Sequence, residues 1–242
     1  MATIKELRSR VGQWSKYLPE NTAILNPYFL AIIQNESKGF PGQIASRTTR
    51  YTATIPSELG VGIATNRALG LMQVIPINIV DYNSKHPGKE VTYEQMTGTS
   101  SADGVKQIET GLYVFFEGVD TLERILGQQL IEPGNRLNLN LLKLALVTYA
   151  WGIGNLREKL DVLTSLGLDP SYENLAATFP DLGNDTNNQP LVYTQKIMKN
   201  AQYYKGVQDY YFEPGVVPGI EPEMEWSSLM ALFGVVLWAF KQ

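Results

Sequence analysis

The chain has no cysteine and a single histidine among its 242 residues. The first absence excludes disulfides, thiol nucleophiles and thiolate zinc sites. The second excludes multi-histidine metal centres and would force any Ser–His–Asp triad to use His86. That residue stands in Asn83-Ser84-Lys85-His86-Pro87-Gly88, a stretch with turn chemistry, so a solvated loop imidazole is expected. A GxxxxGK[ST] phosphate loop is missing, and Gly60-Val61-Gly62 opens no strand–helix unit, so it reads as a loop. Excess positive charge is lacking too. Lys and Arg number 20 against 24 Asp and Glu, a net charge of −4, so no nucleic-acid partner is expected. Behind residues 1–10 there is no apolar run, hence no secretion signal is expected there. Catalysis, if any, is left to carboxylates, hydroxyls and amides.

What is present reads as a folded, mainly α protein. The chain is 44% hydrophobic and 18% charged, ordinary values for a globular protein long enough to bury roughly 70–75% of its unfolded surface. Ile4, Leu7, Val11, Trp14 and Leu18 fall at helical spacing and predict an N-terminal helix within residues 1–19, with one packing face. Asn26-Pro27 suits the start of a second helix. Its apolar stripe ends at Glu36-Ser37. Residues 38–69, rich in Gly, Ser, Thr and Pro with a β-leaning patch at Tyr51-Thr52-Ala53-Thr54-Ile55, read as a long loop or hairpin. A helix is expected to begin near Gly70-Leu71-Met72-Gln73, with Pro76 in its first turns, followed by a loop over 85–101. Residues 103–130 and 137–149 carry strong helical patterns, the second ended by Gly152 and Gly154. Shorter helices are expected over 156–166, 172–177 and 190–206. Asp181, Asn184, Asp185, Asn187 and Asn188 lack the glycine and terminal glutamate of a calcium loop, so a solvated turn is expected.

The last part of the chain differs in kind. Residues 212–225 hold three prolines, two glycines and only acidic charges, and read as an extended linker. Residues 226–240 carry no charge, with Trp226 and Trp238 near the two ends. Fifteen helical residues rise ~22 Å against a hydrocarbon core of ~30 Å, a short span. A membrane-anchoring helix over 226–242 is the expectation, with a helix docked on the domain or on a partner as the alternative.

Several separated segments carry a resemblance. Asn26 to Ser37 is an apolar helix ending in a Glu-Ser pair, and Phe40-Pro41 and Ala45-Ser46 follow it. Ala68-Leu69-Gly70-Leu71-Met72-Gln73-Val74-Ile75-Pro76 contains GLMQxxP. Gln107-Ile108-Glu109-Thr110-Gly111 sets a Gln-Ile pair before a glycine. Thr148-Tyr149-Ala150-Trp151-Gly152-Ile153-Gly154 is similar to an AYNxGxG motif, and Tyr193-Thr194-Gln195-Lys196-Ile197 to a YVxKI motif. In this order, over roughly residues 20–205, they resemble the soluble lytic transglycosylase (SLT) domains of the lysozyme-like superfamily. Two departures stand out. Glu36 and Gly70 are about twice the family's usual distance apart, so residues 47–66 read as an insertion. Ala150 stands where the family commonly keeps an asparagine.

The resemblance implies a mainly α, lysozyme-like (goose-type) helical domain over residues 1–211. It implies cleavage of the β-1,4 bond between MurNAc and GlcNAc in peptidoglycan glycan strands, leaving 1,6-anhydro-MurNAc ends, with no cofactor or metal. Glu36 would act first as acid and then as base, which an apolar helix wall favours by raising a carboxyl pKa. Ser37 and Gln73 would orient the sugar and its acetyl group, Met72 would pack along the groove, and Tyr149 and Tyr193 would contact the acid or the sugar. Without a secretion signal, such an enzyme fits carriage in a phage particle beside other virion proteins, or membrane attachment through residues 226–240, with action at the cell wall. A hydrolase on the same scaffold and an inactive wall-binding or structural virion component are the alternatives, Ala150 favouring the latter.

Overall fold

The computed structural model describes residues 3–45, 67–182 and 190–211, with side chains as far as residue 205. Helix α1 (Ile4–Gly12) opens with a capping box: the Thr3 hydroxyl accepts the Glu6 N–H, and the Glu6 carboxylate accepts the Thr3 N–H. The helix expected over 1–19 is thus shorter, and 3-10 turns at Ser15–Tyr17 and Glu20–Leu25 replace its second half. Val11, Trp14 and Leu18 still reach the core, while Ile4 is 68% exposed.

Helix α2 (Asn26–Ser37) is the centre of the molecule. Every side chain from Asn26 to Ile33 is buried, because NPYFLAII is apolar on all faces and only a surrounded helix can satisfy that pattern. Helices α3 (Pro76–Lys85), α4 (Tyr93–Thr97) and α5 (Ser101–Leu126) follow. Next come a small hairpin of β1 (Ile131–Glu132) and β2 (Arg136–Leu137), with Ile131 opposite Leu137, and then α6 (Leu139–Trp151), α7 (Ile153–Ser165), α8 (Tyr172–Thr178) and α9 (Pro190–Tyr211). Helix α2 packs on α1 and α9, and on α5 through Phe29, whose ring stands edge-on to Phe115 at 5.2 Å. Helix α6, nearly as apolar, packs on α5, α7, α8 and α9.

Long helix α5 lets these elements approach closely. Gly104, Gly111 and Gly118 recur every seventh residue, and a Cβ at each would collide in turn with Trp14, Met72 and Thr148. Three separate parts of the chain therefore lie against one bare stripe of α5.

Two expectations are corrected between 67 and 101. Gly70–Gln73 is a tight turn, not a helix: Leu69 bridges antiparallel to Val74 and to Ile44, Gly70 has φ +78° and Gln73 φ +53°. Ile75, restricted by the proline after it, stays extended, so α3 starts at Pro76, where a missing N–H costs nothing. The expected loop over 85–101 contains α4, started by a capping box of Thr92 and Gln95. His86 also differs from its expectation. It is half-buried, stacked on Tyr82 at 4.3 Å and edge-on to Tyr113 at 5.2 Å. Helix α3 runs to Lys85, and this folds the imidazole back over the preceding turn, with Nδ1 2.8 Å from the Tyr82 carbonyl.

The chain divides between Tyr211 and Phe212 into two units. The linker and apolar stretch of the second, the insertion over 47–66 with its β-leaning patch, and Asn184, Asp185, Asn187 and Asn188 all lie outside the described residues. Among the described residues no helix is long and apolar enough to cross a membrane.

Candidate active site

Three helix ends and one turn meet around Glu36. The carboxyl stands on the last turn of α2, half-buried, because the apolar helix carries it to the edge of the core. The helix stops directly behind it. Lys38 takes a left-handed φ of +56°, the Ser37 hydroxyl donates to the Ile33 carbonyl at 3.1 Å, and the Gly39 N–H donates back to that hydroxyl at 3.3 Å. Burial pushes the Glu36 pKa up to about 6, against smaller opposing effects of the Tyr193 hydroxyl and the Asn35 amide, 3.4 Å away. Its place at a helix C-terminus, the negative end of the helix dipole, works in the same direction as burial.

Tyr193 enters from the first turn of α9. Its ring is buried and its hydroxyl favours the charged form of Glu36, yet that hydroxyl forms no hydrogen bond of good geometry. Burial, then the neighbouring Glu36, raises its pKa well above 10. Tyr149 comes from the last turn of α6 and donates to the Met72 carbonyl at 2.5 Å. Burial and the charge of Glu36 raise its pKa likewise.

The turn contributes differently from what was expected. The Gln73 amide N–H groups donate to the carbonyls of Gln43 (2.9 Å) and Gly70 (2.8 Å), which pins its left-handed backbone. Met72 is fully buried with its side chain against Gly111, so it does not line a groove; its carbonyl, not its thioether, belongs to the site. Ser37, also buried, has its hydroxyl committed to the helix end. The structure thus brings Glu36, Tyr149, Tyr193 and the 70–73 turn together, and turns the Ser37 and Met72 side chains inward. Ala150 is half-buried at the end of α6.

One residue that supports the site was quoted in the sequence only as part of a motif, with no role given to it. Gln107 on α5 is completely buried and uses its amide four times. Its oxygen accepts the N–H groups of Gly42 and Leu71, each at 3.0 Å, and its nitrogen donates to the carbonyls of Gln95 and Gly98, each at 2.9 Å. It ties the segment after Glu36, the 70–73 turn and the end of α4 to one helix. Gly70 lies so close over it that a Cβ there would stand 2.7 Å from the Gln107 Cγ. The available signal was the glycine stripe of α5, which marks the face where other segments must approach.

Among the described residues no group of three or more His, Asp or Glu side chains is placed to hold a metal ion. Set against protein-family models, curated proteins and solved structures, the chain gives no match.

Proposed function

We propose that this chain is a peptidoglycan lytic transglycosylase with a lysozyme-like fold, using Glu36 as its single catalytic carboxyl. The observation that carries this reading is a carboxyl whose pKa burial pushes up to about 6, between two phenols and with no second carboxylate beside it among the described residues. Burial raises the pKa, Tyr193 and Asn35 oppose the rise, and among the described residues no second carboxylate contributes. Glycosidases with two working carboxylates set them some 5–10 Å apart, close enough to influence each other's titration.

The chemistry follows from that asymmetry. Glu36, protonated, gives its proton to the glycosidic oxygen as the bond to the MurNAc anomeric carbon breaks. The substrate's own acetamido oxygen stabilises the cationic carbon, and the Gln73 amide oxygen is positioned to accept the acetamido N–H. The C6 hydroxyl of the same sugar then attacks the anomeric carbon, and its proton returns to Glu36. No water is consumed. Once Glu36 is charged, the Tyr193 hydroxyl beside it favours that form, while Tyr149 stays fixed by the Met72 carbonyl. Ser37 supports the helix end and does not touch sugar. The linker (212–225) and the apolar segment (226–240) would hold the domain in a virion or at a membrane near the wall.

The product distinguishes this reading from its alternatives. Purified full-length chain incubated with peptidoglycan is expected to release fragments lighter by one water than reducing-end fragments, as read by mass spectrometry. Reducing ends in their place would make it a hydrolase on the same acid. Glu36→Gln should slow turbidity clearance by ~10²–10⁴-fold; a wild type no faster than this variant would leave a binding or structural component.

A further inference from the structure

A cationic and aromatic patch lies next to the Glu36 corner and is not used by the chemistry above. Helix α1 carries Lys5, Arg8 and Arg10, and its one carboxylate, Glu6, is occupied by the Thr3 N–H at 2.7 Å. The Arg10 guanidinium lies over the Phe40 ring, 3.8 Å from its centre, and one N–H reaches the Lys38 carbonyl at 3.5 Å. Lys38 follows Glu36 by two residues, a stretch of chain of at most ~7 Å. Its left-handed backbone turns it out of the helix, and its side chain is exposed. Phe40 is 47% exposed and is held by a turn in which its N–H donates to the Ser37 carbonyl at 3.1 Å. Arg8 covers Tyr203 of α9 in the same manner, at 3.5 Å.

Among the described residues no carboxylate pairs with Arg8, Arg10 or Lys38, whereas Lys85, Lys106, Arg136 and Lys143 each have an acidic partner within 4 Å. A guanidinium has five N–H donors, and Arg10 uses one of them, at long range. Stacking on a ring orients the rest without neutralising them. On a chain of net charge −4, cations without an acidic partner among the described residues, beside the acid, suit carboxylates of a bound molecule.

We propose that Arg10, Lys38 and the exposed ring of Phe40 bind the carboxylate-bearing peptide branches of the glycan strand while Glu36 works on the adjacent sugar bond; this rests on the glycan-cleaving reading of Glu36. The patch selects peptide-bearing over bare strands. It acts on binding, not on the chemical step.

The full-length chain is tested on glycan strands with their peptides and on the same strands stripped by an amidase, and by titration of a free, fluorescently labelled acidic stem peptide. Arg10→Ala with Lys38→Ala should raise KM on peptide-bearing strands about tenfold. It should leave kcat and the stripped-strand reaction unchanged, and weaken the free peptide by a similar factor. Arg10→Lys, which keeps the charge but not the planar fork, should fall between. An equal loss on both strands, no change on either, or loss of binding to anionic lipid vesicles with peptide binding intact would overturn the patch. A wild type that cuts neither strand, yet binds the peptide through Arg10 and Lys38, would keep the patch and overturn the glycan-cleaving reading.

Discussion

Glu36 and Gln107 are two polar side chains held at the same turn by opposite means. Gln107 is fully buried and has a partner for its oxygen twice over and for both N–H groups. Glu36 shares its corner with the buried Tyr193 hydroxyl, which among the described residues makes no hydrogen bond of good geometry, and with the left-handed backbone of Gln73. Buried polar groups are nearly always hydrogen-bonded, so unpaired ones are informative. The saturated amide builds scaffold. The unsaturated corner keeps its bonding capacity for something that arrives, and backbone strain gathers at such places.

Breaking the saturated side should have the larger effect on stability. Gln107→Leu leaves two N–H groups and two carbonyls without partners, at a cost of at least about 3 kcal/mol. In a thermal melt this should lower the midpoint by roughly 10 °C. A drop of only a degree or two would mean that water or relaxation replaces the hub.

The unsaturated side should respond in the other direction. Glu36 has a folded pKa of about 6 against an ordinary 4.5. A carboxyl whose pKa rises on folding favours the folded state while protonated. That contribution is complete below pH 4.5 and is lost as pH rises through 6. Glu36→Gln, neutral throughout, should therefore match the wild type at pH 4 and exceed it by about 2 kcal/mol at pH 8, in denaturant titrations. The same protonation should appear in kcat/KM, which should fall above pH 6 if Glu36 is the acid. Equal stabilities at pH 8 would show that the corner is more solvated than its burial indicates.

The smallest effect belongs to a third kind of polar group. Lys85 pairs with Asp81 at 3.3 Å and Glu117 at 2.9 Å, but all three side chains are nearly half exposed. Lys85→Met should change stability by less than about 1 kcal/mol. A larger loss would make the α3–α5 surface, with Tyr113 and His86, a second structural centre.

How legible these regions were follows from how they are written along the chain. The place of Glu36 at a helix end, though not its role, which was read only from the resemblance, was readable because its helix announces itself locally, from Asn26-Pro27 through an apolar run to the acid. The long helix α5 and the apolar α6 were readable for the same reason. Gln107 was picked out within a motif, but its role was not readable, because its four partners come from residues 42, 71, 95 and 98, and no periodicity links them. The turn at Gly70–Gln73 was misread as helix because Leu71-Met72 looks helical in isolation, while the deciding contacts, Leu69 with Ile44 and Val74, need the fold. Met72 was assigned to a groove by its neighbours in sequence, but the bare stripe at Gly111 draws it inside. The capping box at Thr92 and Gln95 was available and would have found α4.

One feature of the backbone matters for modification of this chain. The Ala45 N–H donates to the Ala68 carbonyl at 2.9 Å, and the Gly70 N–H to the Gln43 carbonyl at 2.8 Å. The segments on either side of residues 46–66 are therefore held by a clasp of paired backbone. Doubling the length of chain between clasped ends costs only about 0.6 kcal/mol in closure entropy. The position is a natural cloning slot, where a tag, an epitope or a foreign binding module can be spliced in while the clasp keeps both anchor points in place.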